Sequence, residues 1–121
     1  MNLIDPDKRA KELHKLLKPV TQRQVTIAVG NTLENISLVG TSEDSMRKSI
    51  RESLEDHELV ATPNANHHAE EDIIETAEKL DLHLTEIGTS RPICIDCEDL
   101  LKSKNIELKT ECSGKKSKKR Q

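Results

Sequence analysis

The chain has 121 residues, of which 33% are hydrophobic and 34% charged, and it contains no Phe, Tyr or Trp. This length suits one compact domain, whose core must be built without aromatic rings, and no apolar run of about 18 residues predicts a membrane span. The net charge of −3 hides a basic C-terminus: residues 1–114 carry 14 basic against 22 acidic side chains, which excludes the broad basic surface typical of strong nucleic-acid binders.

The N-terminal segment predicts a short amphipathic helix. Asp5 and Pro6 have the residue types of an N-cap and a first helical position, and Lys18-Pro19 ends the pattern. The apolar residues between them recur at helical spacing, and they are Ala10, Leu13, Leu16 and Leu17.

Residues 23–40 predict a β-hairpin. Val25, Ile27 and Val29 alternate with smaller or polar residues, Gly30-Asn31 has turn chemistry, and a second apolar run follows at 36–39.

Residues 41–55 predict a helix, and residues 57–67 predict a loop. Thr41 and Asp44 have capping-box spacing, and the loop segment loses periodicity while gaining Pro and Asn. Three apolar residues follow the cap at intervals of four, and they are Met46, Ile50 and Leu54.

The second half of the chain predicts a helix from residue 68, a strand at 82–87, a turn at 88–92, a helix at 94–104 and a strand at 106–111. The first of these helices has an apolar face formed by Ile73, Ile74, Ala77 and Leu80. The element order α-β-β-α-α-β-α-β predicts a three-layer α/β/α fold with a mixed central sheet of four to five strands. We expect one domain at 1–112 and a basic, disordered tail at 113–121.

The most informative pattern is His68-Ala69-Glu70 followed by Pro92-Ile93-Cys94-Ile95-Asp96-Cys97. Imidazole and thiolate groups bind zinc, and three protein ligands leave the fourth tetrahedral position to a water whose pKa falls from 15.7 to about 7. A nearby carboxylate can then move protons. The pattern predicts Zn²⁺ as cofactor, with His68, Cys94 and Cys97 as ligands.

These residues can converge because each group begins a helix that follows a loop at one end of a shared sheet. Helix N-termini favour thiolates, so both sulfurs could bind as anions. Taken alone, the C-x-x-C pair also fits a structural site or a thioredoxin-like redox pair.

With these motifs the chain resembles the cytidine-deaminase-like superfamily, whose signature is H-x-E followed by P-C-x-x-C. The resemblance implies that Glu70 is the catalytic acid and base rather than a ligand, and it selects His68 over the adjacent His67. One residue, Ile93, separates Pro92 from the first cysteine, whereas the signature has none. Because the number of strands is four or five, it is open whether the chain belongs with the superfamily members whose sheet ends in a parallel strand or with those whose sheet ends in a hairpin.

Residues 87–92 and the hairpin end at 39–42 are similar to the C-terminal deaminase domains of bacterial polymorphic toxins, over roughly residues 20–112. This resemblance implies a secreted or delivered effector that acts in the target-cell cytoplasm, and a cognate immunity protein that blocks it. It also implies a substrate among nucleic acids or nucleotides.

We predict hydrolytic conversion of cytosine to uracil in nucleic acid, with single-stranded DNA favoured and a monomeric protein. Adenine in nucleic acid, free cytidine nucleosides or nucleotides, and a non-enzymatic zinc-stabilised interaction module remain as alternatives. Without aromatic rings for stacking, the candidate substrate contacts are Asn66, His67 and Arg91.

Overall fold

In a computed structural model, the described residues are 3–63, 68–93 and 95–110. Five helices and five strands occur within these ranges. In chain order they are α1 (Pro6–His14), α2 (Pro19–Gln22), β1 (Ile27–Thr32), β2 (Ser37–Thr41), α3 (Lys48–Arg51), β3 (Glu58–Val60), α4 (Ala69–Lys79), β4 (Leu84–Thr89), α5 (Ile95–Ser103) and β5 (Glu107–Leu108).

Within the described residues, the strands form one mixed sheet of order β3-β2-β1-β4-β5. The central strand β1 is antiparallel to both neighbours, whereas β2 pairs with β3 and β4 pairs with β5 in parallel. The two parallel pairs are connected through α3 and α5, as parallel strands require a crossover. This architecture confirms the predicted α/β fold with helices on both faces of a mixed sheet.

The sheet separates two hydrophobic clusters because successive strand residues point to opposite faces. Ala28, Leu38 and Ile87 face the cluster that includes the buried residues of α4 and α5. Val29 and Val39 face the cluster on the other side, to which α1 and α3 contribute. Both faces of the central strands are therefore buried, although the sequence contains no aromatic ring.

Gly40 and Gly88 allow helices to approach the sheet closely. A Cβ atom at Gly40 would lie 2.6 Å from the carbonyl oxygen of Ala69, the first residue of α4. A Cβ atom at Gly88 would lie 2.2 Å from the backbone nitrogen of Asp7 in α1. The starts of α1 and α4 are thus held against the ends of β4 and β2.

The first helix confirms its predicted start. Asp5 is the N-cap, and its carboxylate accepts a hydrogen bond of 2.9 Å from the Asp7 N–H. Two of the apolar residues assigned to helix faces are exposed, however: Leu16 is 46% exposed and Leu80 is 52% exposed. Both lie just beyond the last residue of a helix, so they leave the face that the periodicity assigned to them.

The hairpin is confirmed, but the turn is not at Gly30-Asn31, which lie inside β1. The chain turns between Leu33 and Ile36 instead, with Asn35 in the left-handed region at a φ of 62°. Asn tolerates this conformation, and the glycine instead provides room for Ile73 and Leu84 beside the strand.

The helix predicted at 41–55 is wrong in its start and length, since α3 covers only Lys48–Arg51 and has Arg47 as its N-cap. Thr41 pairs with Ile27 in the sheet, and its hydroxyl accepts a hydrogen bond of 3.3 Å from the Glu43 N–H. A residue held in a strand cannot start a helix, so the capping-box spacing was misleading.

The loop predicted at 57–67 contains the edge strand β3, which pairs with β2 in parallel. Three residues are too few for an alternation pattern, so this strand carries no periodic signal. The strand predicted at 82–87 is shifted to Leu84–Thr89, after a turn at Asp81 with a φ of 58°. The tail predicted at 113–121 lies outside the described residues, so the domain boundary stays a prediction.

Candidate metal centre

His68 is the N-cap residue of α4. Its backbone N–H donates a hydrogen bond of 2.8 Å to the Glu71 carboxylate, three residues further on. The helix itself forms because its buried face, which includes Ile73 and Ala77, packs on the sheet. Since Gly40 lets the first turn approach β2, the imidazole is positioned by both capping and packing.

Cys97 is the third residue of α5 and is 2% exposed. Its Sγ atom lies 3.1 Å from the Nδ1 atom of His68, although 29 residues separate the two in the chain. The starts of α4 and α5 therefore meet at one place, as the element order predicts.

Glu70 completes the group from the first turn of α4. Its Oε2 atom lies 3.8 Å from His68 Nδ1, and the residue is only 4% exposed. One possible ligand atom from each of His68, Glu70 and Cys97 lies within 4.8 Å of the other two, so these residues could hold a metal ion together.

The donor set fits zinc. Zn–S and Zn–N bonds are about 2.3 and 2.0–2.1 Å long, so one ion can reach a sulfur and a nitrogen that are 3.1 Å apart. The thiolate form of Cys97 is favoured by its place in the first turn of a helix. A partly buried imidazole beside a buried thiol and a buried carboxylate is a mixed N, S and O site, of the kind that transition metals prefer.

Four of the predicted site residues are not part of this group of three. Arg91 is exposed, and its backbone carbonyl accepts a hydrogen bond from the Thr89 hydroxyl. Cys94, Asn66 and His67 lie outside the described residues, so their assignments as third ligand and substrate contacts stay predictions.

Two acidic residues in the first turn of α4 have surroundings that their sequence position does not reveal. Glu71 and Asp72 are typical first-turn acids by position, yet Glu71 accepts the His68 N–H and Asp72 is 1% exposed. The spacing of His68 and Glu71 is that of the N-cap and N3 positions of a capping box, which could have revealed the first role. The burial of Asp72 follows from packing that no local pattern records.

In comparisons with known proteins, no family model matches the chain, and neither a curated protein nor a solved structure matches it. Across the described part of the chain, no helix is both long and apolar enough to cross a membrane. By its fold and its site, the chain is an α/β domain with a candidate metal centre at the starts of two helices.

Proposed function

We propose that the chain is a zinc-dependent deaminase domain that converts cytosine to uracil in nucleic acid. The observation that carries this proposal is the convergence of His68, Glu70 and Cys97 within 4.8 Å, two of them from the H-x-E motif and one from the C-x-x-C motif. His68 and Cys97 would hold the ion, and Cys94 is proposed as the third ligand. When bound, zinc lowers the pKa of a water to about 7 and so supplies a nucleophile at neutral pH.

Glu70 is proposed to move the protons of the reaction. Hydrolysis joins one water to cytosine at C4 and releases ammonia, so one proton of the water must pass to ring N3, where it stays, and the other to the leaving amino nitrogen. The Glu70 carboxylate is buried beside His68, where it can transfer these protons without exchange with bulk solvent. Glu71 supports this arrangement because it holds the His68 backbone.

The base, the polymer and the biological setting are proposed on the resemblance alone. It implies a substrate among nucleic acids or nucleotides and a delivered toxin domain opposed by an immunity protein. Within that class we propose cytosine in single-stranded DNA, with adenine in nucleic acid as the alternative base. Free cytidine nucleotides are an alternative substrate class, because the acidic body of residues 1–114 repels a small nucleotide less than a long polyanion.

A zinc-stabilised interaction module is the second candidate. The position of Glu70 favours it, because a carboxylate 3.8 Å from His68 Nδ1 could serve as a fourth ligand and close the coordination shell. A closed four-ligand set is typical of structural zinc, whereas a catalytic site keeps one position open.

The two candidates differ in what Glu70 does, so the test is Glu70→Gln, with Glu75→Gln as a matched control on the exposed part of the same helix. Zinc content and ammonia release would be measured on cytidine, dCTP, single-stranded DNA, duplex DNA and RNA. We expect the Glu70 variant to retain zinc and lose turnover, and the control to resemble the parent. Loss of zinc from the Glu70 variant, in a parent inert toward all five substrates, would favour the module.

A further inference from the structure

A concave site, separate from the candidate metal centre, lies between α1 and the ends of β4 and β5. Its volume is about 390 Å³. It is lined by Asp7 and Lys11 of α1, by Arg91 and Pro92 after β4, and by Lys109 and Thr110 after β5.

The acidic group of this pocket is already satisfied. The Asp7 carboxylate accepts hydrogen bonds from the Lys11 ammonium at 2.9 Å and from the Thr110 hydroxyl at 2.6 Å. Burial alone would raise the pKa of Asp7, but the bonds from Thr110 and Lys11 outweigh it and keep this pKa below its usual value. Asp7 is therefore an anion whose charge Lys11 compensates.

The remaining charge in the pocket is positive. The Lys109 ammonium lies 3.1 Å from the Glu107 carboxylate, which offsets its positive charge. The Arg91 guanidinium, by contrast, forms no ion pair with any residue in the ranges 3–63, 68–93 and 95–110. In a body with an excess of acidic side chains, an uncompensated guanidinium in a concave site is a local attractor for anions.

The pocket lies at the same end of the sheet as the candidate metal centre, but on the side of α1 rather than on the side of α4 and α5. Ala28 of β1 pairs with Gly40 on one side and with Thr89 on the other. Gly40 lies against Ala69, the first residue of α4, which is next to His68. On the other side, Thr89 precedes Arg91 by two residues. The segment that forms the pocket wall then continues into α5 and Cys97.

We propose that this pocket binds a phosphate group of the substrate and that Arg91 is its principal contact, an inference that rests on the proposed function. A guanidinium donates two parallel hydrogen bonds to a phosphate, and is therefore suited to this ligand. Lys109 also lines the pocket, but Glu107 offsets its charge. The phosphate can belong to a free nucleotide or to a polynucleotide backbone, since the chemistry recognised is the same.

The experiment measures binding rather than turnover, with thymidine monophosphate and a short oligothymidylate as probes. Thymine has no exocyclic amine to release, so neither probe is consumed. The variants are Arg91→Gln, which removes the charge, and Arg91→Lys, which keeps the charge but not the paired donors. Lys79→Gln is the matched control, because this exposed lysine lies at the far end of α4.

We expect Arg91→Gln to weaken binding by about tenfold, as for loss of a charged hydrogen bond, with Arg91→Lys intermediate and Lys79→Gln unchanged. For the oligonucleotide, the slope of log K against log salt should fall by about 0.7, the contribution of one phosphate contact on a single strand. Weakened binding of the oligonucleotide alone would assign the pocket to a backbone phosphodiester, weakened binding of the monophosphate alone would assign it to a terminal phosphate, and weakened binding of both would show that it takes either.

Equal affinities of the parent and Arg91→Gln for both probes, or equal losses in Arg91→Gln and Lys79→Gln, would overturn the inference. So would the absence of binding to the parent. The outcome is separable from the proposed function. A protein inert toward cytosine whose probe binding still depends on Arg91 retains the phosphate pocket, and an active deaminase whose binding ignores Arg91 loses only the pocket.

Discussion

The ion pair between Arg9 of α1 and Glu58 of β3 is the best place to test how the α1 side of the domain is held together. Arg9 donates from Nε at 2.8 Å and from Nη2 at 2.7 Å to the two oxygens of Glu58. The Glu58 carboxylate also accepts the Glu55 N–H at 2.8 Å. The side chains are 14% and 2% exposed, so the pair is largely desolvated.

Replacing Arg9 by Met leaves the Glu58 carboxylate buried with one backbone donor. Breaking a buried ion pair from one side costs about 3–5 kcal/mol because a desolvated charge remains. We therefore expect the free energy of unfolding to fall by about this amount in urea titrations at neutral pH. The double variant Arg9→Met with Glu58→Leu should recover most of the loss, since no buried charge is left.

The same pair gives a pH dependence with a defined sign. Burial by itself would raise the pKa of Glu58, but the hydrogen bonds from Arg9 and Glu55 outweigh it and lower this pKa from 4.5. A lowered pKa in the folded state means that the stabilisation is present above 4.5 and is lost as the pH falls through the folded value. A loss below about 1 kcal/mol in Arg9→Met, or the same acid dependence in parent and double variant, would refute this reasoning.

Two further predictions follow from the contacts. In Gly40→Ala, the added Cβ would lie 2.6 Å from the Ala69 carbonyl oxygen, next to His68. We therefore expect the free energy of unfolding to fall by about 1–3 kcal/mol through overpacking, and zinc binding to weaken. A zinc affinity equal to that of the parent would contradict this prediction. The Glu34 carboxylate, 2.6 Å from Nδ1 of His83, raises the pKa of His83 above 6.5, so this pair stabilises the fold at low pH and the effect is lost as the pH rises through the raised value. An NMR titration should show a lower His83 pKa in Glu34→Gln, and an identical value would exclude the pairing.

The sequence predicted the architecture where local chemistry and tertiary packing agree. The N-cap at Asp5, the β-hairpin and the helix after His68 were all recognisable, because capping residues and periodic apolar residues act over short distances. The convergence of His68 with Cys97 was also predictable, since it follows from the order of the elements. The three-residue strand β3 was not, because its pairing with β2 is a property of the assembled sheet.

The candidate site was predictable in its members and less so in their surroundings. His68, Glu70 and Cys97 are identified by motif spacing, but nothing local indicates that Gly40 admits the start of α4. The hairpin turn illustrates the same limit. Gly30-Asn31 has strong turn chemistry, yet Gly30 is needed inside β1 where Ile73 and Leu84 crowd the strand.

His68 and Cys97 are 29 positions apart, so a metal ion shared between them would join the start of α4 to the start of α5. An ion that binds only the folded chain stabilises it by mass action, by about 2.7 kcal/mol when the free ion is at 100 times its Kd. In a small domain without a single aromatic ring in its core, such a contribution would be a substantial share of the whole stability. Loss of the ion would then relax the C-terminal helix and strand before the hairpin.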